Sequence, residues 1–151
     1  MNPASEIDIL VRSPNGQPIA AVEIKNPERL SRNTASTVRR NMLVHGLLPG
    51  VPYFLLLSQD IGFLWKGAEQ KAPDAPPTFQ FPMREVVERY LPNSDAKKRL
   101  RESELEWIVL QWLLNLTISQ RDTKDEPEKS LAQAGLLDSL RGATVLADAR
   151  L

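Results

Sequence analysis

Residues 6–25 read EIDILVRSPNGQPIAAVEIK, two short segments of strand-forming residues on either side of an Asn-Gly pair. An Asn-Gly pair between alternating apolar residues is the strongest local signal for a β-hairpin. Successive side chains of a strand point to opposite faces of the sheet. One face of this hairpin is wholly apolar, and we expect it to pack on the core. Its residues are Ile7, Ile9, Val11, Ala20, Val22 and Ile24.

The position of the turn decides which charged residues meet on the other face of the hairpin. A tight turn at the Asn-Gly pair places Asp8 directly opposite Glu23. The same register places Glu6 opposite Lys25. A four-residue loop keeps this pairing, whereas a loop of odd length changes it unless a bulge restores the register.

Asp8 and Glu23 are then two carboxylates on opposed Cβ atoms about 5 Å apart. They repel each other unless a positive charge lies between them. Hard divalent cations such as Mg²⁺ take oxygen ligands, so the pair predicts a metal site. The alternative is a solvated hairpin face with scattered charges, which would more often pair unlike charges, as Glu6 and Lys25 do.

An Asp near the end of one strand, followed by Glu-x-Lys on the antiparallel partner, a helix and a further strand, resembles the PD-(D/E)xK nuclease superfamily. The matching residues are Asp8, Glu23 and Lys25, with a helix near residues 30–45 and a strand at 53–58. The resemblance implies an α/β (α+β) protein with the restriction-endonuclease-like fold. That fold has a mixed central sheet with the β-hairpin, a crossover helix and a further strand, and C-terminal helices would follow it here.

The resemblance also implies a Mg²⁺-dependent (or Mn²⁺-dependent) endonuclease-like hydrolase that cleaves phosphodiester bonds, with DNA as its partner. In the superfamily the Asp and the Glu bind the metal together with the carbonyl of the x residue, which implies Asp8, Glu23 and Ile24 as ligands. The Lys activates or positions the attacking water, or stabilises the charged phosphate. The implied catalytic set is therefore Asp8, Glu23 and Lys25, and a plain salt bridge to Glu6 is the alternative for the lysine.

The chain departs from the superfamily's pattern before its first strand. The superfamily usually has a helix there, often with another acidic residue near the metal, whereas five residues precede Glu6 here. We expect that helix to be absent, supplied from elsewhere or encoded upstream. Ile7 also stands where the superfamily has a Pro. The alternative function is a non-catalytic nuclease-like module that acts by partner binding or as a homo-oligomer through the apolar helix 105–118.

Length and composition favour one domain, 1–151, with a nuclease-like core at 5–66 and a helical extension at 83–151 that includes a candidate last strand. The chain has no cysteine, which excludes disulfides and thiolate metal sites and fits a reducing cytoplasm. No signal peptide opens it, and no apolar run reaches the length that crosses a bilayer. We therefore expect a cytoplasmic protein that does not enter a membrane.

Basic residues are the candidate nucleic-acid contacts on a chain whose formal net charge is zero. Dedicated nucleic-acid binders usually carry a basic excess, so a phosphate-binding surface here would be local. Residues 28–40 hold four arginines. Arg39 and Arg40 are the better candidates, because they lie further along the helix that packs beside the hairpin and off its apolar stripe. A second basic run lies at 97–101, and solvated surface is the alternative for the arginines.

Hydrophobic periodicity and turn residues predict the remaining elements. Residues 53–57 form a continuous apolar run, which indicates a buried central strand. Trp107 and Trp112 are typical of core or interface positions. The other predicted elements are a helix at 30–47, a short strand at 63–65, a loop at 67–82, helices at 83–90, 96–119 and 131–140, and a last strand at 143–148 on a sheet edge.

Overall fold

A mixed β-sheet lies at the centre of the fold in the computed structural model, which describes residues 7–67, 72–92, 98–119 and 123–147. Glu6 and its predicted pairing with Lys25 lie outside the described residues. Along the chain the elements are β1 (Ile9–Arg12), β2 (Pro18–Ile24), α1 (Arg32–Val44), β3 (Tyr53–Leu57), β4 (Ile61–Lys66), β5 (Phe79–Pro82), α2 (Arg84–Tyr90), α3 (Glu102–Ile118), α4 (Glu128–Ala134), α5 (Leu136–Ser139) and β6 (Thr144–Ala147).

The six strands of the described residues follow the order β5-β4-β3-β2-β1-β6. β2 and β3 run parallel and are joined through the crossover helix α1, while every other neighbouring pair is antiparallel. A parallel pair needs such a crossover, whereas antiparallel strands can be joined by a short turn. The prediction of an α/β protein with a mixed sheet is confirmed, and the predicted edge strand near the end of the chain is confirmed as β6.

The hairpin has the predicted register over most of its length. The Cα partners are Ile9 with Val22, Leu10 with Ala21, and Val11 with Ala20. The turn is not the predicted tight turn, because the N–H of Ser13 donates to the carbonyl of Gln17 at 2.7 Å. An irregularity in the pairing between Val11 and Arg12 absorbs the odd residue. A loop of odd length with a compensating bulge therefore produces the register that places Asp8 beside Glu23.

Both faces of the hairpin are buried, whereas the sequence predicted one core face and charged residues on the other face. Most of the predicted core face packs against α2–α5, but Ile7 belongs to a second cluster under α1. Leu10 and Ala21, which share the face predicted to carry the charged residues, are fully buried in that second cluster. Ile7 changes face because Asp8 forms a bend before β1 and interrupts the alternation of side chains. The charged residues Asp8, Glu23 and Lys25 therefore lie at the open end of the hairpin, beyond its buried pairs.

Three other predicted elements differ from the structure. The predicted loop at 67–82 contains the edge strand β5, whose Phe81 is buried. α3 begins at Glu102 rather than near residue 96, and residues 93–97 lie outside the description. The predicted helix at 131–140 is two helices, because Gly135 has a φ of +87°, a left-handed conformation that ends α4. In the ranges that the structure describes, no helix combines the length and the apolar character needed to span a membrane.

Candidate metal centre

Asp8 and Glu23 connect the two strands at the open end of the hairpin. The N–H of Asp8 donates to Glu23 Oε1 at 3.3 Å, and the N–H of Ile24 donates to Asp8 Oδ2 at 2.7 Å. These bonds to side chains replace the backbone hydrogen bonds that would continue the pairing of β1 and β2. For this reason β1 begins only at Ile9. The structure therefore brings the two predicted carboxylates together.

Glu23 is strongly perturbed by this arrangement. Its side chain is only 13% exposed. Burial, reinforced by repulsion from the Asp8 carboxylate, raises the pKa of Glu23 to about 7, although the Lys25 ammonium acts in the opposite direction. The Lys25 ammonium therefore offsets only part of the cost of ionising Glu23 at this site. A bound divalent cation would supply further positive charge and keep Glu23 ionised.

Lys25 lies on the accessible side of the pair. Its Nζ is 3.8 Å from Glu23 Oε2, and its side chain is 43% exposed. Its backbone N–H donates to the Leu57 carbonyl at 3.1 Å, which extends the parallel pairing of β2 and β3 by one residue. The predicted lysine is thus held beside the carboxylates with its ammonium open to a ligand.

Ile24 is the predicted ligand that would use its backbone carbonyl. In a strand the N–H and the C=O of one residue point to the same side. Because the Ile24 N–H meets Asp8, its carbonyl also faces the side on which Asp8 lies. Across the described ranges, no group of three or more His, Cys, Asp or Glu side chains could hold a metal ion. Two carboxylates and a carbonyl are hard oxygen donors of the kind that Mg²⁺ and Mn²⁺ prefer, and a metal held by Asp8, Glu23 and the Ile24 carbonyl stays a prediction.

A polar cluster that the sequence did not predict lies directly beyond Lys25, at the carboxyl ends of β2 and β3. Asn26 Oδ1 accepts from the N–H of Gln59 at 3.0 Å and from Arg99 at 2.6 Å. Asn26 Nδ2 donates to Gln59 Oε1 and to the Leu100 carbonyl, both at 2.8 Å. All four hydrogen-bonding positions of the Asn26 amide are therefore used.

Gln59 and Arg99 connect this cluster to the segment that precedes α3. Gln59 is buried, donates to the Lys98 carbonyl at 3.0 Å and accepts from the N–H of Leu100 at 2.7 Å. Arg99 binds Asp60 Oδ2 at 2.6 Å. The sequence contained one usable signal, since the carboxyl ends of adjacent parallel strands meet at one edge of a sheet. No local pattern indicated that Arg99 would reach that edge.

The two predicted phosphate contacts occupy different environments. Arg39 is fully buried in α1, with its guanidinium 5.3 Å from the ring centroid of Trp65 and donating to the Ala72 carbonyl at 2.8 Å. The prediction that Arg39 contacts phosphate is therefore wrong, and Arg39 is a core residue. The sequence predicted that Arg39 lies off the apolar stripe of the helix, but the buried face of α1 includes it. Arg40 is exposed, 3.5 Å from Asp74, and its phosphate contact stays a prediction.

The fold and the site together define a mixed α/β protein with a carboxylate pair and a lysine at the open end of a β-hairpin. No protein-family model, no curated protein and no solved structure matches the chain. The chemistry of this end of the sheet is therefore the basis for assigning a function.

Proposed function

We propose that the protein is a Mg²⁺-dependent (or Mn²⁺-dependent) nuclease of the PD-(D/E)xK type, with a restriction-endonuclease-like fold and DNA as its substrate. The observation that carries the proposal is the hydrogen-bonded pair of Asp8 and Glu23 with the Lys25 ammonium 3.8 Å from Glu23. The succession of hairpin, crossover helix and parallel strand supports it as well. Glu-x-Lys alone is a weak signal, but two carboxylates and an ammonium at one end of a sheet form a specific chemical arrangement.

Each residue of the site has a definite task in phosphodiester hydrolysis. Asp8, Glu23 and the Ile24 carbonyl would hold the cation. When bound, Mg²⁺ lowers the pKa of a water ligand and neutralises charge on the phosphate. Lys25, on the open side of the pair, would orient the attacking water or stabilise the negative charge that builds on the phosphate oxygens in the transition state.

Cleavage of a fluorescently labelled DNA duplex, with Mg²⁺ and in EDTA, tests the assignment. Asp8→Asn keeps an oxygen that can accept the Ile24 N–H but removes the negative charge, so we expect Mg²⁺-dependent cleavage to fall at least about 100-fold. Asp138→Asn removes an exposed carboxylate on α5 and is the matched control, with wild-type cleavage expected. Undiminished cleavage by Asp8→Asn, or equal cleavage in EDTA, would refute the nuclease proposal.

A second candidate function is a non-catalytic interaction module, and the surface of α3 favours it. Trp107, Leu114 and Ile118 are 53%, 36% and 85% exposed. Their spacing of seven and four residues puts them on one face of the helix. Trp112, in contrast, is fully buried, so the two tryptophans of α3 have different roles. Calorimetric titration with Mg²⁺ separates the two candidates, because the nuclease predicts specific binding and the module predicts none.

A further inference from the structure

The segment that precedes α3 crosses the carboxyl ends of β2 and β3 beside the candidate metal centre, and we call residues 98–101 the basic strap. Gln59 binds the carbonyl of Lys98 and the N–H of Leu100. Asn26 binds the carbonyl of Leu100. Because Asn26 directly follows the proposed catalytic lysine in the chain, these bonds fix the strap next to the site.

The side chains of the basic strap divide into anchors and exposed cations. Leu100 is buried, and Arg99 binds Asp60 at 2.6 Å. Lys98 is exposed, and the side chain of Arg101 is 81% exposed. Two cations therefore extend from a backbone that is held at the edge of the site.

Apart from Asp60, which pairs with Arg99, two carboxylates close to the basic strap accept hydrogen bonds from backbone N–H groups. Glu102 Oε2 accepts the N–H of Asn26 at 3.3 Å. Glu104 Oε1 accepts the N–H of Arg101 at 3.0 Å, and this bond is the main cause that lowers the pKa of Glu104, with a smaller contribution from Lys98. The Arg101 guanidinium also lies 3.4 Å from Glu104. An exposed ion pair of this kind contributes little stability, so a phosphate can replace the carboxylate as the partner of Arg101.

We propose that Lys98 and Arg101 bind backbone phosphates of a nucleic acid strand that passes the candidate metal centre. This inference rests on the proposed nuclease function and names the surface that holds its substrate. A protein without net charge has to place its phosphate-binding cations locally, and the basic strap supplies two of them on a backbone that Gln59 and Asn26 anchor. Phosphate contacts set the position of a strand without reading its bases, so the strap would act on any sequence.

Binding of a fluorescently labelled DNA duplex in EDTA, followed by anisotropy over a range of salt concentrations, tests the basic strap without cleavage. The strap variant of the full chain is Lys98→Gln/Arg101→Gln. The control, Lys66→Gln/Arg141→Gln, removes one lysine and one arginine at the opposite end of the sheet, near the starts of β3 and β6. Arg141 pairs with the exposed Asp138 three residues before it, much as Arg101 pairs with Glu104 three residues after it.

We expect the strap variant to bind at least about tenfold more weakly at low salt. The slope of log K against log salt should flatten by about 1.8, the value for two lost phosphate contacts. The control should stay within about twofold of the wild type. Urea unfolding of both variants verifies that each is folded, because all four side chains lie at the surface and their removal is expected to change stability little.

Three results would overturn the inference: no binding by the wild type, unchanged binding by the strap variant, or an equal loss in strap variant and control. The nuclease proposal fails in a different way. If the wild type shows no Mg²⁺-dependent cleavage while the strap variant alone loses binding, the basic strap is supported as a phosphate-binding surface and the nuclease is refuted.

Discussion

Glu23 shows, at the scale of a single residue, how the candidate site opposes the stability of the fold. Burial beside Asp8 raises its pKa from the ordinary 4.5 to about 7. Between these two values the folded protein retains a proton that the unfolded chain has released. The stability that the protonated carboxyl provides is complete below about pH 4.5 and is lost as the pH rises through about 7. Perturbed carboxyl groups of this kind are concentrated at functional sites.

Glu23→Gln tests the direction of this effect. The amide keeps an oxygen that can accept the Asp8 N–H but cannot ionise, so we expect the free energy of unfolding at pH 8 to rise by about 1–3 kcal/mol. At pH 4.5 it should change little. Urea unfolding at both pH values, without divalent cations, measures the difference, and Glu88→Gln on the exposed side of α2 controls for the loss of one carboxylate. Equal destabilisation at the two pH values would contradict the raised pKa of Glu23.

Gln59, just after β3, forms hydrogen bonds with Asn26 at the end of β2 and with the segment that leads into α3. Its side chain therefore connects three elements. Gln59→Leu would leave the carbonyl of Lys98 and the N–H of Leu100 without this partner. Unsatisfied buried polar groups are costly, so we expect a loss of about 2–4 kcal/mol in the free energy of unfolding. Gln80→Leu on the edge strand β5, where the side chain is exposed, should change it by less than about 0.5 kcal/mol. If Gln59→Leu lowers the free energy of unfolding by no more than that, the connection between β2, β3 and the segment before α3 does not depend on this glutamine.

The elements that the sequence predicted are those whose signals are local. The Asn-Gly turn signal and the hydrophobic alternation of β1 and β2 predict the register that pairs Ile9 with Val22. The register is correct although the turn has an odd length, because the irregularity between Val11 and Arg12 compensates for it. The prolines around β5 predict a loop, whereas the structure has an edge strand there, a position that tolerates proline.

Contacts between distant parts of the chain could not be predicted in this way. Asn26 and Arg99 are 73 positions apart, and nothing in the sequence around either residue predicts that they form a hydrogen bond. For the same reason the sequence indicated Asp8, Glu23 and Lys25 but not the polar cluster beyond them. The sequence does not indicate that Arg39 is buried, because its guanidinium lies over the ring of Trp65, a residue of β4.

At the scale of the whole molecule, α3 links the two candidate functions in space. Its first residue, Glu102, binds Asn26 beside the metal centre, whereas Thr117 near its end accepts the N–H of Gly142, before β6. The 17 residues of α3 span about 25 Å. Ile118 therefore lies far from the basic strap, and a partner at that end of α3 would leave the proposed catalytic end open.

Self-association through α3 is the prediction that follows from the interaction-module function. Sedimentation equilibrium would then show a concentration-dependent dimer for the wild type. Ile118→Lys, at the exposed end of the apolar face, should give monomers, because a charge placed in an apolar interface loses its hydration. Val44→Lys is the matched control, since Val44 is an exposed aliphatic residue at the end of α1, and this variant should remain dimeric.

The same variants decide whether the two functions are coupled. Because Ile118 lies at the end of α3 away from the carboxylate pair, we expect Ile118→Lys to keep Mg²⁺-dependent cleavage within about threefold of the wild type. Loss of cleavage together with the dimer would mean that a complete site needs a second copy of the chain. A wild type that stays monomeric at all concentrations would exclude self-association through α3, and the exposed face of Trp107 and Ile118 would then require a different partner.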